Sequence, residues 1–153
     1  MTLLEGLLWL TLNVYHEARS EPQVGQMAVA YVTLNRAMQK QVPVKEVITQ
    51  PYQFSWTFQK DSYIPDDPDA FFECMNSIYL ALKTPDFTNG ATHYHLDSIT
   101  PNWVSDYTYV AQFGSHKFYR PDDSESVSGN SYLAPPIPLL SSTYAAAKPE
   151  PLF

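Results

Sequence analysis

Apolar side chains in the N-terminal segment recur at spacings of three and four residues, the period of one face of an α-helix. Thr2 is placed to cap the start of this helix, and Glu5 three residues later completes a capping box. Glu21 precedes Pro22 and is therefore pushed out of helical geometry, so we expect the helix to end near Ser20. The apolar positions are Leu3, Leu4, Leu7, Leu8, Trp9, Leu10, Val14, Tyr15 and Ala18.

The helical period returns in two further long segments. A second helix is predicted to follow Pro22, and a third over residues 69–82, with Pro68 near its start. Residues 44–49 are predicted to form a short helix, and residues 50–59, which are interrupted by Pro51, to form a loop. The predicted buried side of the second helix is Val24, Met27, Ala28, Tyr31, Val32, Leu34, Asn35 and Met38.

The pattern changes after the third helix. Residues 91–96 and 109–119 are rich in β-branched and aromatic side chains, and Gly90, Pro101 and Gly114 punctuate them. This pattern indicates a small, irregular β region. The predicted fold class is therefore α+β, mostly helical with a small β lobe, in a domain over residues 1–121. Residues 122–153 are Pro-rich, have little pattern that could build a core, and are predicted to be an extended tail.

Length, charge and composition narrow the classes of function. The 153 residues suit one domain, and the net charge of −7 argues against nucleic-acid binding and against tight attachment to an anionic membrane. Cys74 is the one cysteine, so no internal disulfide is possible, and we expect it to be a buried apolar residue. Residues 2–12 lack the basic start of a signal peptide, and no segment is predicted to span a bilayer.

Glu17 is the candidate for acid chemistry. On a helical wheel it lies above Leu3, Leu10 and Val14, and apolar neighbours raise the pKa of a carboxyl group. A carboxyl that keeps its proton near neutral pH can donate it to a leaving oxygen. From the residues alone, a solvated Glu at a helix end remains the alternative.

Three of the four histidines lie in the β region. His93 and His95 are two residues apart, and His116 and Asp97 could complete a tetrahedral metal shell. The alternative is that these histidines are hydrogen-bonded parts of a cleft wall, and we predict no metal and no cofactor. His16 is expected to be exposed beside Glu17.

Short motifs occur along residues 1–120 in a fixed order. They are Glu17-Ala18-Arg19-Ser20-Glu21-Pro22, Gly25-Gln26-Met27-Ala28-Val29-Ala30, Leu34-Asn35-Arg36, Gln53-Phe54-Ser55, Gly90-Ala91-Thr92-His93-Tyr94-His95, Pro101-x-Trp103 and Gly114-x-His116-x-Phe118-Tyr119-Arg120. This ordered set resembles the cell-wall hydrolase family typified by the spore-cortex lytic enzymes SleB and CwlJ. The family usually has Gly where this chain has Ser20.

The resemblance implies a lysozyme-like fold that acts on peptidoglycan glycan strands, at the bond between N-acetylmuramic acid (MurNAc) and N-acetylglucosamine (GlcNAc). Glu17 matches the catalytic acid of the family. The motifs offer one clear carboxylate, which suits a lytic transglycosylase that leaves 1,6-anhydro-MurNAc ends. The side chains expected to bind the substrate are Ser55, Thr92, Tyr94, Trp103 and Tyr119.

Other functions remain open at this point. A muramidase would need a second carboxylate. The candidates are Glu21, whose direction the sequence does not give, and Asp97 and Asp106, which lack a supporting pattern. A non-catalytic peptidoglycan-binding or virion structural module and a metal-dependent amidase are further alternatives. Without a signal peptide, the chain is expected to be made in the cytoplasm and to act on the wall after release, or to be carried in a phage particle as an endolysin.

Overall fold

The computed structural model describes residues 1–122, so the predicted Pro-rich tail lies outside the described residues from residue 123 onward. Over these 122 residues, five α-helices precede a three-stranded antiparallel sheet. The helices are α1 (Leu3–Ala18), α2 (Gln23–Lys40), α3 (Val44–Thr49), α4 (Trp56–Gln59) and α5 (Pro68–Lys83); the strands are β1 (His93–Leu96), β2 (Tyr107–Phe113) and β3 (His116–Pro121); a 3₁₀ helix spans Asn102–Asp106.

The helix boundaries follow local signals in the sequence. Thr2 caps α1 by accepting a hydrogen bond from the Glu5 backbone N–H at 3.1 Å. Asp67 caps α5 in the same way, with Pro68 in its first turn. The three predicted long helices and the short helix α3 are confirmed. The loop prediction for residues 50–59 was wrong at its end, where α4 forms one turn after Ser55.

The β lobe is a small sheet in which β3 lies between β1 and β2. The second predicted β segment is a hairpin, because Gly114 at φ +61° makes the tight turn between β2 and β3. A register shift between Tyr109 and Ala111 bends β2. The α+β architecture predicted from the sequence is confirmed.

Helix α2 lies at the centre of the molecule, in contact with α1, α3, α5 and the sheet. The predicted buried side was partly wrong, because Val24 and Met38 are exposed while Gln26, Thr33 and Arg36 are buried. These polar side chains are tolerated because each has a hydrogen-bond partner: Gln26 accepts from Ser77, Thr33 accepts from Asn13, and Arg36 donates to the Thr92 carbonyl. Within residues 1–122, no helix is long and apolar enough to cross a bilayer.

Candidate active site

A cleft of about 560 Å³ lies between the C-terminal end of α1 and the β lobe. Its floor and rim combine carboxylates and imidazoles with an apolar lip, on which Leu96 and Ile99 are 42% and 55% exposed. The residues that line it are His16, Glu17, Ser20, Glu21, Ser55, Tyr94, His95, Leu96, Ile99, Pro101, Ser115 and His116.

Glu17 occupies the last turn of α1, where the helix points its carboxyl group into the cleft. The Tyr94 hydroxyl donates a hydrogen bond to Glu17 Oε2 at 2.5 Å. Burial raises the pKa of Glu17 above its ordinary value, and this outweighs the Tyr94 bond and the charge of Arg36, which both lower the pKa. Glu17 therefore keeps its proton to higher pH than a solvated carboxyl, as an acid catalyst requires.

Tyr94 is itself held in the core of the β lobe, with a side chain that is 6% exposed. Its ring lies against Phe118 and meets the His116 ring edge to face, with centroids 5.2 Å apart. Burial, followed by the charge and the hydrogen bond of Glu17, raises the pKa of Tyr94 well above its ordinary value. The phenol therefore stays protonated and remains a donor to Glu17 throughout the physiological pH range.

Arg36 supplies a positive charge behind the site. Its Nε donates to the Thr92 carbonyl at 2.6 Å and its Nη1 donates to Gln53 Oε1 at 3.0 Å. Arg36 is 3% exposed and its guanidinium lies over the Phe54 ring. These bonds join α2 to the start of β1 and to the loop before α4, so they fix the β lobe relative to the helices.

Glu21 is the second carboxylate in the cleft, and the β2–β3 turn binds both of its oxygens. Ser115 donates its backbone N–H to Oε2 at 3.1 Å and its hydroxyl to Oε1, while His116 Nδ1 lies 3.2 Å from Oε1. Gly114 is required beside it, since a Cβ at that position would lie 2.2 Å from Glu21 Oε2. Glu21 thus ties the turn after α1 to the tip of the hairpin.

His16 is half-buried and lines the cleft, so the expectation that it is exposed was wrong. Its ring stacks on Trp56 with centroids 4.4 Å apart, and its Nε2 lies 3.2 Å from the Tyr63 carbonyl. Trp56 is fixed in turn by a hydrogen bond from its Nε1 to Asn13 Oδ1 at 2.9 Å. Burial lowers the pKa of His16, which therefore presents a neutral ring to the cleft.

An aromatic cluster supports the opposite wall. His95 Nδ1 lies 2.6 Å from the Leu96 carbonyl oxygen, which can only accept a hydrogen bond, so Nδ1 carries the proton. His95 Nε2 then accepts a hydrogen bond from the Tyr119 hydroxyl at 2.9 Å. Trp103 packs edge to face against Tyr119 and His95. The His93 ring packs at a tilt against Tyr107, with centroids 4.0 Å apart, and burial lowers the pKa of His93 to about 3. These rings give the cleft a rigid wall.

The cleft brings together three of the six predicted site residues, namely Glu17, Ser55 and Tyr94. Thr92, Trp103 and Tyr119 stand behind the lining: the Thr92 N–H donates to the Tyr119 carbonyl, and the Thr92 hydroxyl lies 2.9 Å from His93 Nδ1. Substrate binding was not predicted for His16, Glu21, His95, Ser115 or His116, although all but His16 fall within the spans of the ordered motifs. Nothing in the sequence marked the apolar lip.

Asn35 has a structural role. Its amide donates to Asp86 Oδ2 and to the Ala91 carbonyl, both at 2.9 Å, and so joins α2 to the segment before β1. Among residues 1–122, no group of three or more His, Cys, Asp or Glu side chains could hold a metal ion. His93 and His116 instead contact Thr92 and Glu21.

Comparison with known proteins gives a consistent result at the level of sequence. The family described as "Cell Wall Hydrolase" matches residues 20–119. The spore cortex-lytic enzyme of Halalkalibacterium halodurans is 36% identical over 108 residues, which cover 69% of this chain and 32% of the relative. The spore cortex-lytic enzyme of Bacillus cereus is 32% identical over 108 residues, which cover 69% of this chain and 40% of the relative. The chain thus matches less than half the length of these relatives.

Two solved structures are similar over most of the described residues. The catalytic domain of the Bacillus cereus SleB protein aligns with a TM-score of 0.63 and 28% identity, over 76% of this chain and 91% of that one. The catalytic domain of the germination-specific lytic transglycosylase SleB from Bacillus anthracis aligns with a TM-score of 0.65 and 27% identity, over 78% and 97%. The expected lysozyme-like fold is confirmed by these neighbours.

Proposed function

Because the chain belongs to the cell wall hydrolase family, we propose that it cleaves peptidoglycan glycan strands as a lytic transglycosylase. The bond cut joins MurNAc to GlcNAc, and the new ends are 1,6-anhydro-MurNAc. The observation that carries this proposal is one carboxyl group, Glu17, which lines the cleft with a raised pKa and a single hydroxyl donor. The name of the Bacillus anthracis neighbour, a lytic transglycosylase, supports the same class of reaction.

The reaction needs one group that first gives a proton and then takes one. Protonated Glu17 donates to the glycosidic oxygen as the bond from the MurNAc anomeric carbon to that oxygen breaks. The Glu17 carboxylate then takes the proton of the MurNAc 6-hydroxyl, whose oxygen bonds to the anomeric carbon. No water is consumed and Glu17 ends protonated. The Tyr94 hydroxyl stabilises the carboxylate between the two transfers, because hydrogen bonds to a charged acceptor are stronger than bonds to a neutral one.

The surroundings of Glu21 favour this reaction over hydrolysis. A hydrolase would use a second carboxylate as a nucleophile or to activate water. Of the carboxylates within residues 1–122, Glu17 and Glu21 line the cleft, and both oxygens of Glu21 already bind Ser115 or His116. Asp97 does not line the cleft and accepts a hydrogen bond from Gln112 on the exposed side of the hairpin. A base must have a lone pair that can bind water, and Ser115 and His116 already occupy or face three of the roughly four acceptor positions of the Glu21 carboxylate.

Analysis of the fragments by mass spectrometry tests the proposal. Purified peptidoglycan would be digested in water enriched in oxygen-18, with the Glu17→Gln variant as the blank. Transglycosylation gives fragments one water lighter than hydrolysis products and leaves them unlabelled. Fragments that carry one labelled oxygen at the reducing end would identify a muramidase and overturn the proposed reaction.

Hydrolysis stays the second candidate because Glu21 lies in the same cleft as Glu17. A non-catalytic binding module is disfavoured by the intact acid and its raised pKa. Since the proposed substrate lies outside the cytoplasmic membrane, we propose that the chain acts after release, or from a phage particle that carries it. Fractionation of producing cells and of phage particles, followed by detection of the chain, would test this placement.

A further inference from the structure

His116 forms a pair with Glu21 on the side of the cleft that the proposed reaction leaves without a role. His116 Nδ1 lies 3.2 Å from Glu21 Oε1, and the two side chains are only 8% and 10% exposed. This contact has the distance of an ion pair but not the geometry of a hydrogen bond. A lone pair on Nδ1 would face the lone pairs of the carboxylate, so the neutral ring is favoured with its proton on Nδ1 and a lone pair on Nε2. The pair therefore sets the tautomer of a histidine that lines the cleft.

The hairpin turn fixes this pair in place. Ser115 holds Glu21 through its N–H and its hydroxyl, and Gly114 leaves the space that the carboxylate occupies. The Tyr94 ring, which also carries the donor to Glu17, stands perpendicular to the His116 ring. Two polar groups of opposite function thus flank Tyr94: a carboxyl that donates a proton and an imidazole nitrogen that can accept one hydrogen bond.

We infer that His116 is a substrate-binding residue of the proposed reaction, and that its Nε2 accepts a hydrogen bond from a hydroxyl or amide N–H of the bound glycan. Glu21 is then a positioning residue, because it acts through His116 by keeping the proton on Nδ1. This inference rests on the proposed function, since it takes the glycan as the occupant of the cleft. It gives Glu21 a role other than that of a second catalytic carboxylate.

The acceptor is lost when His116 gains a second proton. Burial and the nearby His95 lower the pKa of His116, whereas the charges of Glu21 and Asp97 raise it. Tyr94, which also faces the ring, is a neutral phenol. The net direction is downward, so Nε2 is an acceptor at neutral pH. We expect kcat/KM to fall on the acid side as His116 is protonated, because kcat/KM reports groups that titrate in the free enzyme.

The test uses soluble glycan strands prepared from peptidoglycan and compares His116→Phe with the unmodified protein. Phe keeps an aromatic ring and lacks both nitrogens, so we expect KM to rise about fivefold, the effect of one neutral hydrogen bond. The fall of kcat/KM at low pH, here called the acid limb, should disappear. His116→Gln restores an acceptor oxygen, so it should recover part of the affinity without the acid limb. Thermal unfolding of each variant would show that the fold is kept.

Two variants separate the role of Glu21 from its structural bonds. Glu21→Gln removes the charge that raises the pKa of His116, so the acid limb should move to lower pH. Ser115→Ala removes one hydroxyl that binds the same carboxylate, so it should lower the melting temperature while the acid limb keeps its position. If both variants moved the limb equally, the limb would not report the Glu21–His116 pair.

An unchanged KM and an unchanged acid limb in folded His116→Phe would overturn the inference while leaving the proposed reaction intact. Hydrolytic fragments from the unmodified protein would instead contradict the proposed reaction and leave the binding role of His116 standing. Long-range ¹H–¹⁵N spectra of histidine-labelled protein provide a readout independent of activity. They should show a proton on His116 Nδ1, and a proton on Nε2 alone would contradict the inference.

Discussion

Replacing Tyr94 by Phe removes one hydroxyl, the donor that lies 2.5 Å from Glu17 Oε2. The ring should stay in place, because it is 6% exposed and packs against Phe118 and His116. The Tyr94 bond favours the charged form of Glu17 and so lowers its pKa. When this bond is lost, less remains to counteract the effect of burial, so the pKa of Glu17 should rise further.

The expected size follows from the strength of such bonds. A hydrogen bond to a charged acceptor contributes about 1.5–3 kcal/mol, and one pKa unit corresponds to about 1.4 kcal/mol. The neutral carboxyl keeps part of the bond in the unmodified protein, so the net shift should be about one unit upward. A weaker acid donates its proton less readily, and kcat should fall by about tenfold for the same free energy.

The assay is the pH profile of kcat/KM on soluble glycan strands. Its alkaline limb marks the loss of the Glu17 proton, and in Tyr94→Phe this limb should lie about one pH unit higher. Tyr119→Phe is the matched control, because it removes a buried hydroxyl that bonds to His95. An alkaline limb at the same pH in Tyr94→Phe and in the unmodified protein would refute the assignment of that limb to Glu17.

Three further predictions concern stability and reactivity. Gly114→Ala should lower the free energy of unfolding in urea by about 2 kcal/mol or more, because Gly114 has φ +61° and its Cβ would meet Glu21 Oε2. Gly25→Ala, whose Cβ would lie 3.3 Å from the Glu21 Cβ, should lower the free energy of unfolding by less. Equal decreases in the two variants would contradict this account of the turn. Burial raises the pKa of Cys74 to about 11, so a thiol reagent at pH 8 should modify it in urea but not in the native protein; rapid native labelling would contradict its burial. Since the folded-state pKa of Glu17 lies above its unfolded value, stability should fall as pH rises through that folded pKa. Glu17→Gln should remove this loss in thermal melts at alkaline pH, and an identical pH dependence in both proteins would argue against a desolvated Glu17.

The helices could be predicted because their signals are local. Thr2, Pro22 and Pro68 mark helix starts through local capping and backbone geometry. The apolar spacing predicted helix α1 but not all of its buried face, because Leu3, Leu4 and Leu8 are exposed. The buried polar face of α2 could not be predicted in the same way. Gln26 and Arg36 are buried because Ser77 and Thr92, far away in sequence, supply partners that only the folded chain brings near.

The candidate site shows the same division. Glu17 could be singled out because it matches the family motif and because apolar neighbours lie on its own helix. The donor to its carboxyl, Tyr94, is 77 residues away in sequence. The direction of Glu21 could not be derived, since it depends on a hairpin turn 94 residues further along the chain. His16 was expected to be exposed from its place beside Glu17 at the helix end. Its stacking partner Trp56 could not be foreseen, since it lies 40 residues further along the chain in a segment predicted to be a loop.

The most direct measurement is the release of glycan fragments from purified sacculi by folded Glu17→Gln. Gln keeps the size of the side chain and cannot donate and retake a proton as a carboxyl does. With an unchanged circular dichroism spectrum and a melting temperature no lower than that of the unmodified protein, the variant should release fragments at no more than the rate of the enzyme-free blank. Release at the rate of the unmodified protein would contradict the claim that one protonated carboxyl carries the cleavage.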